Sequence, residues 1–372
     1  MAICLSHSGD AISSSRAPSN DVFVGTADGV MLLSRPGRGQ PWKVARRSLA
    51  GYHVCTLILE PSTGMLLAGT HNGGVAVSRD AGASWAFSNQ GLTSTNVYSL
   101  AHVQAGGTLK LYAGTEPAAL FVSEDLGASW RELASLRAVP SIPQWSFPAP
   151  PHLAHVKFIT FAPGDPNHIY ACVEQGELLS SLDGGATWQE LLGNDGTLAK
   201  CEGDAHRVII RPSKPNEMFV PTGFGFFHSY DNGRSWADES AGIAGMGYPD
   251  ALVFHPDRQD LLFVAGARET PGEWFKSKSA DATIARSRDG GTSWEFVANG
   301  LPHPLAANVE AMTLEAFGGT CAIFTATTAG DVYCSEDEGE SWSKIAGGLP
   351  AISKGSHFAI LNGAFGSAAH AG

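Results

Sequence analysis

Ser78-Arg-Asp-Ala-Gly-Ala-Ser-Trp85 is one of six copies of a single octapeptide. The others are Ser123-Glu-Asp-Leu-Gly-Ala-Ser-Trp130, Ser181-Leu-Asp-Gly-Gly-Ala-Thr-Trp188, Ser229-Tyr-Asp-Asn-Gly-Arg-Ser-Trp236, Ser287-Arg-Asp-Gly-Gly-Thr-Ser-Trp294 and Ser335-Glu-Asp-Glu-Gly-Glu-Ser-Trp342. A decayed seventh copy runs from Ser34 to Trp42. A repeat of this period sets the architecture and is read before any single element. Within each copy the Asp and Ser side chains reach nearby backbone groups and close a turn. The Gly supplies a backbone angle that other residues resist. The Trp opens the next strand with a large ring to bury. Two short apolar runs precede the octapeptide, as in Met65–Thr70 with Gly74–Ser78 and Leu111–Thr115 with Ala119–Ser123. Each unit therefore offers about four strands, the content of one propeller blade.

The octapeptide resembles the Asp-box, or BNR repeat, of sialidases, related glycosidases and many other propeller proteins. The resemblance covers nearly the whole chain as a fold signal. It implies that the boxes sit on the face away from any active site. The repeat Trp residues are spaced by 43, 45, 58, 48, 58 and 48 residues, which suits blades of about 40–50 residues with two insertions. Letter the strands of a blade A to D from the axis outward. B strands then start near Asp21, Met65, Leu109, His168, Met218, Leu261 and Cys321. A strands start near His53, Asn96, His155, Asp204, Tyr248, Asn308 and His357. The last A strand follows the final box, so a C-terminal strand is expected to complete the first blade, and ring closure removes exposed edges. The expected fold is all-β: a single seven-bladed β-propeller over residues 1–372, with an N-terminal extension over 1–20 and loop insertions at 131–153 and 268–281.

Forty-four Gly and 21 Pro beside 43% hydrophobic residues fit a turn-dense β chain rather than disorder. A formal charge of −12 argues against nucleic acid or an anionic membrane as partner. No apolar stretch reaches the length of a transmembrane helix. The opening residues lack a basic region followed by an apolar run, so a secretory signal is not expected and the expected location is cytoplasmic. The six cysteines show no CxxC spacing and read as reduced core residues.

Strand direction places the boxes on the bottom face and the D–A and B–C loops on the top. Two of the nine Trp, Trp145 and Trp274, lie outside the repeats, in the two insertions. Long loops on a rigid scaffold often carry function. Trp145, Trp274 and Phe275 are therefore expected to wall a substrate pocket; the competing reading is that they only pack their own loops.

Aligning the A strands on the turn that follows them brings two positions into register. The first holds His53, Asn96, His155, Asp204, Tyr248 and Asn308. The second holds Cys55, Tyr98, Lys157, His206, Asp250, Glu310 and His357. Residues two apart share one side of a strand, so these groups are expected to converge at the upper mouth of the channel. Clustered ionisable groups in a cleft mark candidate sites. In one reading His53, His155, His206 and His357 bind a divalent transition metal (Zn, Fe, Cu, Mn or Ni), with Asp204, Asp250 or Glu310 as ligands or supports. In the other no metal is present. A His and a carboxylate then act as base and acid, Lys157 steers an anion, and Tyr98 and Tyr248 assist. His71, Glu116, Glu174 and Arg268 on the B–C loops are further candidates for substrate binding. Propeller channels also hold polar side chains with no chemistry at all.

The expected activity is hydrolysis or lyase-type cleavage of a small-molecule substrate. A sialidase would bring three arginines to one carboxylate, and the aligned positions contain no Arg. A non-catalytic scaffold, like photosystem II assembly factors of the Ycf48 type, is the other alternative.

Overall fold

The computed structural model describes residues 2–192 and 203–354. The short apolar runs form seven sheets, and six of these contain four antiparallel strands in chain order, A to D. Sheet 2 runs through Val54–Glu60, Met65–Thr70, Gly74–Ser78 and Ala86–Phe87. Sheet 3 runs through Val97–Ala105, Thr108–Thr115, Ala119–Ser123 and Arg131–Glu132. Sheet 4 is His155–Ala162, Asp165–Glu174, Glu177–Ser181 and Gln189–Glu190. Sheets 5, 6 and 7 begin with Ile209–Arg211, Tyr248–Phe254 and Val309–Phe317. The fold is a seven-bladed β-propeller, as the repeat count predicts.

Among the described residues the innermost strand of sheet 1 is Ala2–Leu5, paired in parallel with Asp21–Thr26. The C-terminal strand expected there, with His357, lies outside the described residues. Ala2–Leu5 is a four-residue apolar run without the turn that anchors the other inner strands, so the alignment passed over it. Residues 1–20 are also more than an extension. Ser8–Gly9 adds in parallel to the inner edge of sheet 2, and Ile12–Ser14 to that of sheet 7.

All six octapeptides adopt one geometry. In the first, Ser78 Oγ donates to Asp80 Oδ1 at 2.8 Å and accepts from the Gly82 N–H at 2.8 Å. Asp80 also accepts from Ser84 N and Ser84 Oγ at 2.9 and 2.6 Å. The turn needs two consecutive left-handed residues, such as Ala81 (φ 54°) and Gly82 (φ 75°). Three repeat tryptophans, Trp130, Trp236 and Trp342, are buried among the sheets they follow. Burying a large apolar side chain stabilises by roughly 1.5–3 kcal/mol.

By internal contacts the chain groups into two units. Unit 1 holds the start to His7, Ala11–His53 and the chain from Ser240; unit 2 holds Ser8–Asp10 and Val54–Glu239. One feature recurs in both. The A strands of sheets 2, 3, 4, 6 and 7 each carry a register shift at one residue: Cys55, Tyr98, Lys157, Asp250 and Glu310. In sheet 5, Ala205 pairs with Thr222 and Ile209 with Phe219, so the inner segment again holds one extra residue. Bulges turn a strand and re-aim a side chain. The bulged positions are those aligned from the sequence. Among the described residues no helix is long and apolar enough to cross a membrane.

Candidate functional site

In unit 2 the ends of the A and B strands of sheets 3 and 4 meet the segment leading into sheet 5. Glu174 closes the B strand of sheet 4 and stands at the centre. His155 Nε2–H donates to Glu174 Oε2 at 2.7 Å. Lys157 Nζ donates to the other oxygen, Oε1, at 3.5 Å. His206 Nε2 lies 3.6 Å from Glu174 Oε1 and 3.5 Å from Asp204 Oδ2. His155 Nδ1 is 3.9 Å from Glu116 Oε2, which accepts from the Tyr98 hydroxyl at 3.1 Å. The Tyr98 ring stacks on His155 with centroids 3.8 Å apart. His71 leans on the other side of Tyr98 at 4.4 Å, and its Nε2 is 3.1 Å from Cys55 Sγ. Burial, then the charges of Cys55 and Glu116, push the Tyr98 phenol well above its ordinary value. The phenol therefore stays protonated and acts as a donor.

The cluster is dry. His155, Lys157, Glu174 and His206 are each 1% exposed, Asp204 3% and Glu116 6%. Burying charge is costly unless it is balanced. The cluster gathers three carboxyl groups, two imidazoles and the Lys157 amine, with the buried Arg207 guanidinium beside them in the chain. Arg207, next in the chain, is turned onto the Phe158 ring at 4.5 Å.

Two glycines set the spacing. Gly176 N–H donates to Gly203 O at 3.0 Å, and a Cβ on Gly203 would stand 1.9 Å from Gly176 O. This close backbone approach stands between Glu174 on one segment and Asp204 and His206 on the other.

In unit 1 the aligned residues have other partners. His53 Nε2–H donates to Ser353 O at 2.7 Å, and burial lowers its pKa. Glu310 accepts from Asn308 Nδ2, Ser353 Oγ and Lys354 N. Tyr248 Oη is 3.4 Å from the buried Lys354 ammonium. Asp250 is buried. Lys354 and Ser353 were not singled out in the sequence, because no recognisable turn follows them.

The two insertion tryptophans take different places. Trp274 is 1% exposed on a short helix, Pro271–Ser277; its indole donates to Glu269 O at 2.7 Å and packs edge-on against Tyr248. Trp145 donates to Ser141 Oγ at 2.7 Å and packs against the apolar core of sheets 3 and 4. Each indole N–H finds a partner a few residues away, and the Trp145 ring also lies beside Gly176, two residues past Glu174. The Phe275 side chain lies outside the described residues, as does Cys201, and Arg268 is exposed. No disulfide joins the five described cysteines, all of which are buried.

No family model matches the chain. It is 28% identical over 124 residues to vacuolar protein sorting/targeting protein 10 of Mycosarcoma maydis, which is 33% of this chain and 8% of that protein. The Pyricularia oryzae protein of the same name is 29% identical over 140 residues, 34% of this chain and 9% of that one. The match thus spans less than a tenth of either relative. Among solved structures, an ancestral GH74 enzyme superposes with a TM-score of 0.61 at 18% identity, over 79% of this chain and 38% of that chain. YCF48 from Cyanidioschyzon merolae superposes with a TM-score of 0.50 at 13% identity, over 77% of this chain and 83% of that chain. What this chain shares with these structures is the propeller fold.

Proposed function

We propose that Glu174, Asp204 and His206 bind one divalent transition-metal ion, and that the cluster supports hydrolytic or lyase-type chemistry on a small molecule. The donor spacing carries the reading. Ligand atoms about 2.1 Å from a tetrahedral ion lie about 3.4 Å from one another. His206 Nε2 stands 3.5 Å from Asp204 Oδ2 and 3.6 Å from Glu174 Oε1. All three ligand atoms lie within 4.8 Å of one another. One imidazole and two carboxylates suit Zn, Mn, Fe or Ni.

When bound, such an ion polarises a substrate oxygen or lowers the pKa of a water. The side chains around it have separate tasks. His155 fixes Glu174 by holding Oε2, as outer-shell partners of metal ligands do. Lys157 sets its Nζ beside Glu174, where an anionic oxygen is stabilised. Tyr98 stacks on His155 and keeps its ring plane.

The likeness to a GH74 enzyme raises carbohydrate cleavage as another reading. Glycoside hydrolysis uses two carboxyl groups flanking a bond in a cleft. Glu116, Glu174 and Asp204 are instead held by Tyr98, Lys157 and the histidines, as metal ligands and their supports are. The test is elemental analysis of untagged protein beside His206→Ala and Glu174→Gln. About one equivalent of metal, lost in both variants, is expected. No metal in any of the three after reconstitution would overturn the proposal and leave a binding scaffold.

A further inference from the structure

We infer that Cys55 and His71 form a thiolate–imidazolium pair, making Cys55 a nucleophile toward small acyl electrophiles. The fold builds the pair. Cys55 is the bulged residue of the sheet 2 A strand, between Val54, which pairs with Thr70, and Thr56, which pairs with Gly69. His71 directly follows Thr70 on the facing strand, and the bulge turns Cys55 toward it. The resulting 3.1 Å separation of Cys55 Sγ from His71 Nε2 is within nucleophile–base reach. A thiol buried in apolar surroundings is inert, whereas a thiol beside a cationic imidazole is activated. Cys172, Cys321 and Cys334 are of the first kind, with burial raising the pKa of each.

The neighbours suit the role. Tyr98 faces the pair but stays protonated and donates to Glu116, so His71 is the base. His53 stands two residues earlier in the chain. Cys55 is buried and His71 half-buried, so the electrophile proposed is a small one. In the step, the thiolate sulfur bonds to the carbonyl carbon of a small ester or thioester, and the carbonyl electron pair moves to oxygen. Collapse of that adduct breaks the bond to the leaving group, which takes the proton from His71. Water, giving a proton to the now neutral His71, then cleaves the thioester and restores the pair. No metal takes part, so this inference stands or falls separately from the metal reading.

The test is a short iodoacetamide pulse on the folded full-length protein at pH 6, read at each cysteine by mass spectrometry. An ordinary thiol is almost wholly protonated at that pH. Cys55 is expected to label at least ten times faster than Cys4 or Cys172. His71→Gln, which keeps a polar partner but no charge, is expected to remove that advantage with an unchanged circular dichroism spectrum; His71→Ala serves if the Gln variant misfolds. A burst with p-nitrophenyl acetate is expected and should vanish in Cys55→Ser. Cys55 labelling no faster than Cys4, or equally fast without His71, would overturn the inference.

Discussion

Gly203→Ala is a one-carbon probe of the proposed metal site. The new Cβ would stand 1.9 Å from Gly176 O and 2.6 Å from its carbonyl carbon. An ordinary non-bonded contact is about 3.5 Å, so the two backbones must part by about 1.5 Å. Metal ligands tolerate deviations of only about 0.2 Å. Asp204 and His206 lie on one side of this contact and Glu174 on the other, so the three donors can no longer converge. Changes to groups that only support ligands cost about 10–100-fold in affinity. Separating the ligands should therefore cost more than about 100-fold. Gly203 has φ +70°, and an L-residue there adds about 1–2 kcal/mol of backbone strain. Gly184→Ala is the matched control: its φ is also +70°, but its Cβ meets nothing nearer than Asn167 Oδ1 at 3.6 Å. Metal titration by calorimetry, beside thermal melts of both variants, separates site from strain. Gly203→Ala is expected to lose metal, and Gly184→Ala to keep it at a similar melting temperature. Undiminished affinity in Gly203→Ala would refute the reasoning.

Further outcomes follow from the same geometry. Burial outweighs three backbone N–H donors and raises the Glu177 carboxyl from its ordinary 4.5 to about 7. A group protonated more readily in the folded state stabilises at low pH, so about 3 kcal/mol should be lost as pH rises from about 4.5 through 7. Glu177→Gln should flatten that slope in denaturant titrations. The octapeptide carboxyls go the other way: serine or threonine and backbone donors hold Asp80, Asp125 and Asp183 down to about 2. Their contribution is complete above the ordinary carboxylate range and lost as pH falls toward 2, so unfolding followed by circular dichroism should set in across that window. Trp274→Ala should cost about 3–5 kcal/mol by emptying a buried site. It should leave metal binding unchanged, because that ring packs on Tyr248 in unit 1.

The fold was legible because one turn is written six times, and its Ser, Asp and Gly each do a backbone task that few residues share. The inner-strand alignment was legible for a related reason. Tyr98, His155, Lys157, Asp204 and His206 were brought into register by counting back from a turn, and the structure gathers them around Glu174. The counting could not reveal the bulges that place Lys157 and Tyr98. Nor could it show Glu174 as the centre, since its partners lie on three segments and no local pattern marks it. The place of the tryptophans was not legible, because an aromatic residue in a long loop reads alike whether it faces a ligand or, as Trp274 does, packs on Tyr248. The strand Ala2–Leu5 went unread because four apolar residues carry no turn signal.

The way the first residues are woven into the sheets also bears on how the chain is made. Ser13 sits beside Leu314, 301 positions later. Ribosomes add about 5–20 residues each second, so Ile12–Ser14 emerges and waits roughly 15–60 seconds before its partner strand exists. Through that interval the inner edge built by the opening segment stays incomplete and open to wrong pairing. A chaperone that shields the emerging 2–14 segment should raise the yield of native protein. An engineered chain with residues 2–14 moved to the other end should need that help less.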